Sequence, residues 1–176
     1  EPFFLYVPFI NPHHPVVANP GFKGKSGGGT YSDVLMEIDH NTGRVMDAIK
    51  ESGIDDNTIV VWFSDNGPTR YSLLPYENGD PGPWTGELGS VFEGGLRTAG
   101  MIRWPGMIKP MVADELFHEI DFFPTFARWA GTTVPDDRPI DGMDQSDYLL
   151  GKQPQSNRDH VIVYYNGEYA ALRYRQ

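Results

Sequence analysis

Apolar positions along the chain fall into blocks whose internal spacing predicts their geometry. Phe3 to Phe9 is almost entirely apolar and stops at Asn11-Pro12-His13-His14-Pro15, which predicts a first strand followed by a turn. Residues 16–31 are rich in Gly, Pro and Lys, with Gly27-Gly28-Gly29 in the middle, and read as an irregular surface loop. From Ser32 or Asp33, both good N-caps, Val34, Ile38, Val45 and Ile49 recur at helical spacing, and Leu35 and Met46 widen the stripe. This predicts a helix to about Ser52, with Gly53 as its stop. Thr58 to Phe63 is continuously apolar and predicts a strand buried on both faces, hence central in its sheet.

Beyond it the pattern loosens. Residues 67–90 hold five Gly and four Pro without a period and predict a long loop, a length that usually serves function. Thr98 to Trp104 predicts a third strand, closed by Pro105-Gly106. Asp121 is placed to cap a short helix carrying Phe122, Phe123, Phe126 and Trp129, with Pro124 tolerated in the first turn and Gly131 ending it. Residues 132–158 are polar and loop-like, and His160–Tyr165 with Tyr169–Tyr174 predict a hairpin around Asn166-Gly167-Glu168. The order of elements implies an α/β fold with an antiparallel tail.

Composition narrows the function classes. The 176 residues suffice for one domain with a real core. A net charge of −10 and a pI near 4.8 argue against a nucleic-acid partner, which a basic patch would announce. No segment approaches the ~20 apolar residues of a membrane span. Zero cysteines exclude disulfides, thiolate metal sites and a cysteine nucleophile within these residues. Strand-like runs at both extremes lead us to expect a portion of a longer protein, incomplete at both ends, with pairing edges covered by the missing N-terminal portion or by self-association.

Three constellations carry possible chemistry. In Pro12-His13-His14-Pro15 the prolines hold two imidazoles out of regular structure, and neighbouring residues of an extended segment point opposite ways, so one of them faces a pocket. An incidental surface loop is the plainer alternative. Ser64-Asp65-Asn66-Gly67-Pro68 ends the central strand with a carboxylate and an amide carbonyl, hard donors suited to Ca²⁺ or Mg²⁺; the same residues also make a good turn. Glu93-Gly94-Gly95-Leu96-Arg97 allows close backbone approach, with Arg97 pairing either an anion or Glu93.

Taken in order, these elements resemble the sulfatase (arylsulfatase-like) family of the alkaline-phosphatase-like superfamily. The residues that carry the resemblance are Pro12-His13-His14-Pro15, Phe22 to Tyr31 running into Ser32–Asp39, Asp56-Asn57-Thr58, Ser64–Pro68, Glu93–Arg97, Arg103-Trp104-Pro105-Gly106 and Ile120–Thr125. Asn66, where related phosphodiesterases typically carry His, leans toward sulfatases. The resemblance implies an alkaline-phosphatase-like α/β fold, a mixed and mostly parallel sheet flanked by helices with a small antiparallel C-terminal part. It implies that 1–131 is the C-terminal-side portion of the catalytic domain, and that 132–176 is a loop-rich segment opening the C-terminal subdomain. It implies a Ca²⁺ (or Mg²⁺) site with Asp65 and Asn66 among its ligands, and His13 as the residue that contacts sulfate or protonates the leaving oxygen. A periplasmic or secreted location is implied as well.

Two departures matter. The formylglycine nucleophile arises in a Cys/Ser-x-Pro-x-Arg element that this sequence lacks, so it is expected outside this chain, and the chain alone is expected to be inactive. Leu88 stands where many sulfatases carry a sulfate-binding Lys; either another cation such as Arg70 or Arg97 replaces it, or the protein belongs to a branch that binds substrate differently. Three readings follow: part of a sulfatase cleaving sulfate monoesters of a small molecule or glycan, a phosphodiesterase or phosphonate hydrolase of the same superfamily, or a non-catalytic module binding sulfated ligands.

Overall fold

A computed structural model describes residues 1–69 and 79–175. Its longest element is α1, Thr30–Glu51, which starts slightly earlier than the cap signals predict. Gly29 takes the N-cap position at φ 89°, a backbone region that favours glycine, and no side chain caps the helix. Asp33 serves the preceding loop instead. Its carboxylate accepts from the Gly24 amide at 2.6 Å, the Ser26 amide at 2.9 Å and the Ser26 hydroxyl at 2.6 Å. One turn on, Glu37 accepts from the Asn19 amide at 2.8 Å and from Asn19 Nδ2 at 2.7 Å. The Ser26 bonds chiefly, and the Asn19 bonds in turn, hold both carboxyls below the usual carboxylate range. Loop 16–29 is irregular, as the sequence implies, yet it is stitched to the helix.

The same face of α1 carries Val34 and Ile38, which close a core cluster with Val16 and Ala18; Phe22, Tyr31 and Trp62 pack against it. Farther along, Val45 is exposed, so the apolar stripe is buried only near its N-terminal end.

The strands differ from expectation in their partners. β1, Val60–Phe63, pairs antiparallel with β2, Gly100–Arg103, with Val60 opposite Arg103 and Phe63 opposite Gly100. Among the described residues β1 has that one partner and Phe63 is exposed, so the twice-buried central position in a parallel sheet is not seen. Phe3 to Phe9 forms no strand and has no strand partner among the described residues, with Phe4 81% exposed. Apolar runs mark segments able to fill a strand; which neighbour pairs with them is a tertiary matter. Arg103 anchors the start of the β1 segment by a two-pronged bond to Asp55, 2.8 Å on each arm.

α2 is a single turn, Glu93–Leu96. A 3₁₀ turn, Glu119–Asp121, then leads into α3, Phe122–Trp129. Asp121 does not cap α3. His118 opens the turn, its Nδ1 accepting from the Ile120 amide at 3.3 Å while Asp121 Oδ2 accepts from the His118 amide at 3.0 Å. Phe122, Phe126 and Trp129 share one face of α3, their rings 5.2 and 5.9 Å apart in succession. Phe122 reaches Phe63 of β1 at 5.4 Å, and Trp129 reaches Trp104 beyond β2 at 5.1 Å, so an aromatic column ties α3 to both strands.

The polar stretch 132–158 is more than surface loop. It contains α4, Ser146–Leu149, and builds a buried polar layer from Gln145, Ser146 and Arg158 against Asp121 and Thr125. Arg158 Nε and Nη2 bond both oxygens of Asp121, at 2.8 and 2.5 Å. Residues on either side of the expected 131/132 division therefore share one set of contacts. β3, His160–Tyr165, and β4, Glu168–Tyr174, form the predicted hairpin. Its turn is Asn166-Gly167, with φ of 52° and 81°, and Glu168 pairs with Tyr165 rather than joining the turn.

Candidate functional site

The turn after β1 is positioned by backbone against backbone. The Ser64 amide donates to the Ala99 carbonyl at 3.3 Å, the Gly67 amide to the Gly95 carbonyl at 3.0 Å, and the Leu88 amide to the Pro68 carbonyl at 2.9 Å. The Gly94 amide in turn donates to the Thr85 carbonyl at 2.8 Å. A Cβ on Gly67 would overlap the Gly94 carbonyl, and one on Gly94 or Gly95 would overlap the carbonyls of Gly86 or Glu87. Glycine is required here for closeness: three segments, 64–68, 85–88 and α2, stack with no side chain between them.

At this end of β1, Asp65 is exposed and Asn66 half-buried. Burial, and secondarily the Asp65 charge, pushes the Glu119 carboxyl up, so a second acid lies within electrostatic reach of Asp65. The site thus concentrates negative charge.

His13 is exposed, and its Nδ1 lies 2.7 Å from the His14 carbonyl. A carbonyl oxygen only accepts, so Nδ1 carries the proton and Nε2 is the nitrogen left for other chemistry. Both X-Pro bonds of this element, Asn11-Pro12 and His14-Pro15, are cis. Val16 and Trp62 belong to one packed cluster, so the His13 and Asp65 segments leave the same unit of structure. Among the described residues no hydrogen bond or ion pair joins His13 to Asp65 or Asn66.

The fit to a cation is partial. Asp65 and Asn66 are hard oxygen donors of the right kind, but Ca²⁺ takes roughly six to eight oxygens. Among the described residues no cluster of three or more His, Cys, Asp or Glu side chains is arranged to hold a metal.

Glu93 and Arg97 form the structural pair that was one of two readings, 3.7 Å apart, and the Arg97 guanidinium sits 4.7 Å over the Trp84 ring. The Arg97 side chain remains 44% exposed. Arg70 lies in 70–78, outside the described residues. Leu88, through its amide bond to Pro68, sits beside the Asp65–Asn66 turn with a partly exposed side chain. Residue-by-residue reading missed Glu119, Trp84 and Arg173, the last with its Nε 3.3 Å from Glu93. Nothing in their local sequence signals them, because each meets its partner only after folding.

Comparison with known proteins fits this geometry. The family profile described as Sulfatase matches residues 1–132. Steryl-sulfatase of Rattus norvegicus is 36% identical over 178 residues, covering 99% of this chain and 31% of that protein. N-acetylgalactosamine-6-O-sulfatase of Bacteroides thetaiotaomicron is 36% identical over 169 residues, covering 92% of this chain and 33% of that protein. Among solved structures, the PsFucS1 sulfatase from Pseudoalteromonas sp. superposes with a TM-score of 0.85 at 32% identity, over 93% of this chain and 33% of that one. The chain spans about a third of the length of these relatives. Its fold is that of the alkaline-phosphatase-like sulfatases, and the chain belongs to the sulfatase family.

Proposed function

We propose that this chain is the part of a sulfatase that supplies half of the cation site and the leaving-group acid, the nucleophile coming from sequence that precedes it. The observation that carries the reading is the Asp65–Asn66 pair at the carboxyl end of β1, seated by glycine on the Glu93 turn in a chain of this family. When bound, the cation neutralises charge on the ester's non-bridging oxygens, and a formylglycine supplies the attacking oxygen.

The chain's own residues do the rest. Asp65 and Asn66 would supply two of the cation's oxygen ligands. In its imidazolium form His13 keeps Nδ1–H on the His14 carbonyl and gives the Nε2 proton to the departing oxygen, returning to the neutral Nδ1–H tautomer. Completion of a mostly parallel sheet by the preceding sequence would pair the exposed Phe3 to Phe9 segment. The substrate class is a sulfate monoester; the names of the relatives span a steroid and an amino sugar, so the family alone does not choose between small molecule and glycan. On the family resemblance the protein works in the periplasm or outside the cell.

The test compares sulfate release from an aryl sulfate, with Ca²⁺, by the 176-residue chain and by the protein extended N-terminally to include a Cys/Ser-x-Pro-x-Arg element. The extended protein should turn over, Asp65→Asn should abolish turnover, and the shorter chain should be inactive. Metal-dependent multiple turnover by the shorter chain would overturn the division of labour.

One observation favours a second reading. Leu88 stands beside the Asp65–Asn66 turn where the family resemblance puts a sulfate-binding Lys, and a phosphate diester, a monoanion like a sulfate monoester, has an ester substituent in place of the third non-bridging oxygen to set against an apolar side chain. Matched aryl sulfate and aryl phosphonate esters separate the two: faster phosphonate cleavage by the extended protein would favour it.

A further inference from the structure

The acid that opens the glycine turn is gripped from a distant part of the chain. Arg173 of β4 brings Nε to 3.3 Å from Glu93 Oε1, while Arg97 approaches Oε2 at 3.7 Å. Arg173 Nε is shielded from water and makes no hydrogen bond, so its link to Glu93 is an ion pair. The hairpin fixes where Arg173 stands: it lies opposite Val161 in the register, two positions from the buried Val163.

Glu93 is followed directly by the two glycines on which Gly67 rests. Backbone touches backbone there, so a displacement of Glu93 passes to Gly67 without a flexible side chain to absorb it. Asp65 and Asn66 immediately precede Gly67. Arg97 offers no independent hold, since it sits on the same short segment as Glu93 and leans on Trp84. With both side chains more than a third exposed, the Arg173–Glu93 pair weighs little in global stability.

We propose that Arg173 is a positioning residue for the Asp65–Asn66 end of β1, acting through Glu93 so that the β3–β4 hairpin sets the geometry of the cation site. This rests on the sulfatase reading above, and the experiment separates the two. In the N-terminally extended protein, Ca²⁺ affinity, kcat and KM for an aryl sulfate, and Tm are measured for Arg173→Gln, Arg173→Lys, Glu93→Gln, the Arg173→Gln/Glu93→Gln double variant and Asp65→Asn.

The expected result is that Arg173→Gln weakens Ca²⁺ binding by about tenfold. It should lower kcat at saturating Ca²⁺ with KM unchanged, and leave Tm within about 4 °C of the parent. Arg173→Lys should restore most of the affinity, and the double variant should be no worse than either single one. Parental Ca²⁺ affinity in Arg173→Gln, alongside loss in Asp65→Asn, would overturn this proposal alone. A large fall in Tm that Arg173→Lys does not rescue would make Arg173 a structural residue and overturn it too. Parental Ca²⁺ affinity in Asp65→Asn would remove the site reading and this proposal with it.

Discussion

Replacing Arg158 by Met leaves a carboxylate sealed in the interior without its counter-ion. The Arg158 and Asp121 side chains are 4% and 0% exposed. Besides its two bonds to Asp121, the guanidinium donates to the His160 carbonyl at 3.1 Å and to the Asp141 carbonyl at 2.8 Å. The substitution removes all four bonds, leaving Asp121 with the amides of His118 at 3.0 Å and Met143 at 2.8 Å and with Gln145 Nε2 at 3.5 Å. Removing one partner of a buried pair typically costs ~3–5 kcal/mol, most of it the desolvation of the charge left behind. In a chain of this size that corresponds to a Tm lower by about 10 °C. Urea unfolding followed by circular dichroism measures it, with an unchanged m-value as the condition for comparison. Arg158→Met/Asp121→Asn removes both charges and should be more stable than Arg158→Met. The loss should persist in 1 M salt, where exposed pairs fade. A cost below ~1 kcal/mol for Arg158→Met, or additive effects in the double variant, would refute the reasoning.

Gly67→Ala must drive the 64–68 turn off the Gly94 carbonyl, an overpacking cost of about 1–3 kcal/mol; a wild-type Tm together with wild-type protection of the Gly67 amide would contradict it. Asp33 and Glu37 have folded pKa values below their unfolded ones, so their stabilisation is complete above the unfolded carboxylate range near ~4 and is lost as pH falls through the lower folded values. Asp33→Asn and Glu37→Gln should therefore flatten the acid limb of urea midpoint against pH, and an unchanged limb would contradict the loop-stitching role. Burial first, and the Arg158 charge second, lower the His118 pKa, in keeping with Nδ1 accepting from the Ile120 amide. The unfolded state then takes up a proton near pH ~6.5 that the folded state refuses, so stability is complete above that pH and declines as pH falls toward the lower folded value. Substituting His118→Asn should reduce the slope of stability between pH 6.5 and 5.

Local chemistry was legible in the sequence where a segment decides its own conformation. Helical spacing located α1, Asn-Gly located the hairpin turn with its two positive φ values, and Gly131 ended α3. Partner choice was not legible. Phe3 to Phe9 and Thr58 to Phe63 both look like strands, yet among the described residues one is unpaired and the other takes a single antiparallel neighbour, because hydrophobicity records burial and not who supplies it. Acidic residues near helix starts were read as caps, whereas Asp33 binds a loop and Asp121 binds Arg158; a carboxylate's local and distant options look alike in sequence. The ordered motifs pointed to the family and to the Asp65–Asn66 turn. Glu119 and Arg173 stayed hidden, since their partners lie far along the chain.

The stacked glycine backbones separate two jobs that most sites mix. The 64–68 turn that carries Asp65 and Asn66 rests on main-chain contacts of Gly67, Gly94 and Gly95, and among the described residues no contact of that frame runs through the side chain of Thr85 or Leu88 next door. Those two neighbours can change in size or charge while the turn stays put. Under the proposed function, a frame of this kind would let the anion preference be retuned at Leu88 without moving the turn.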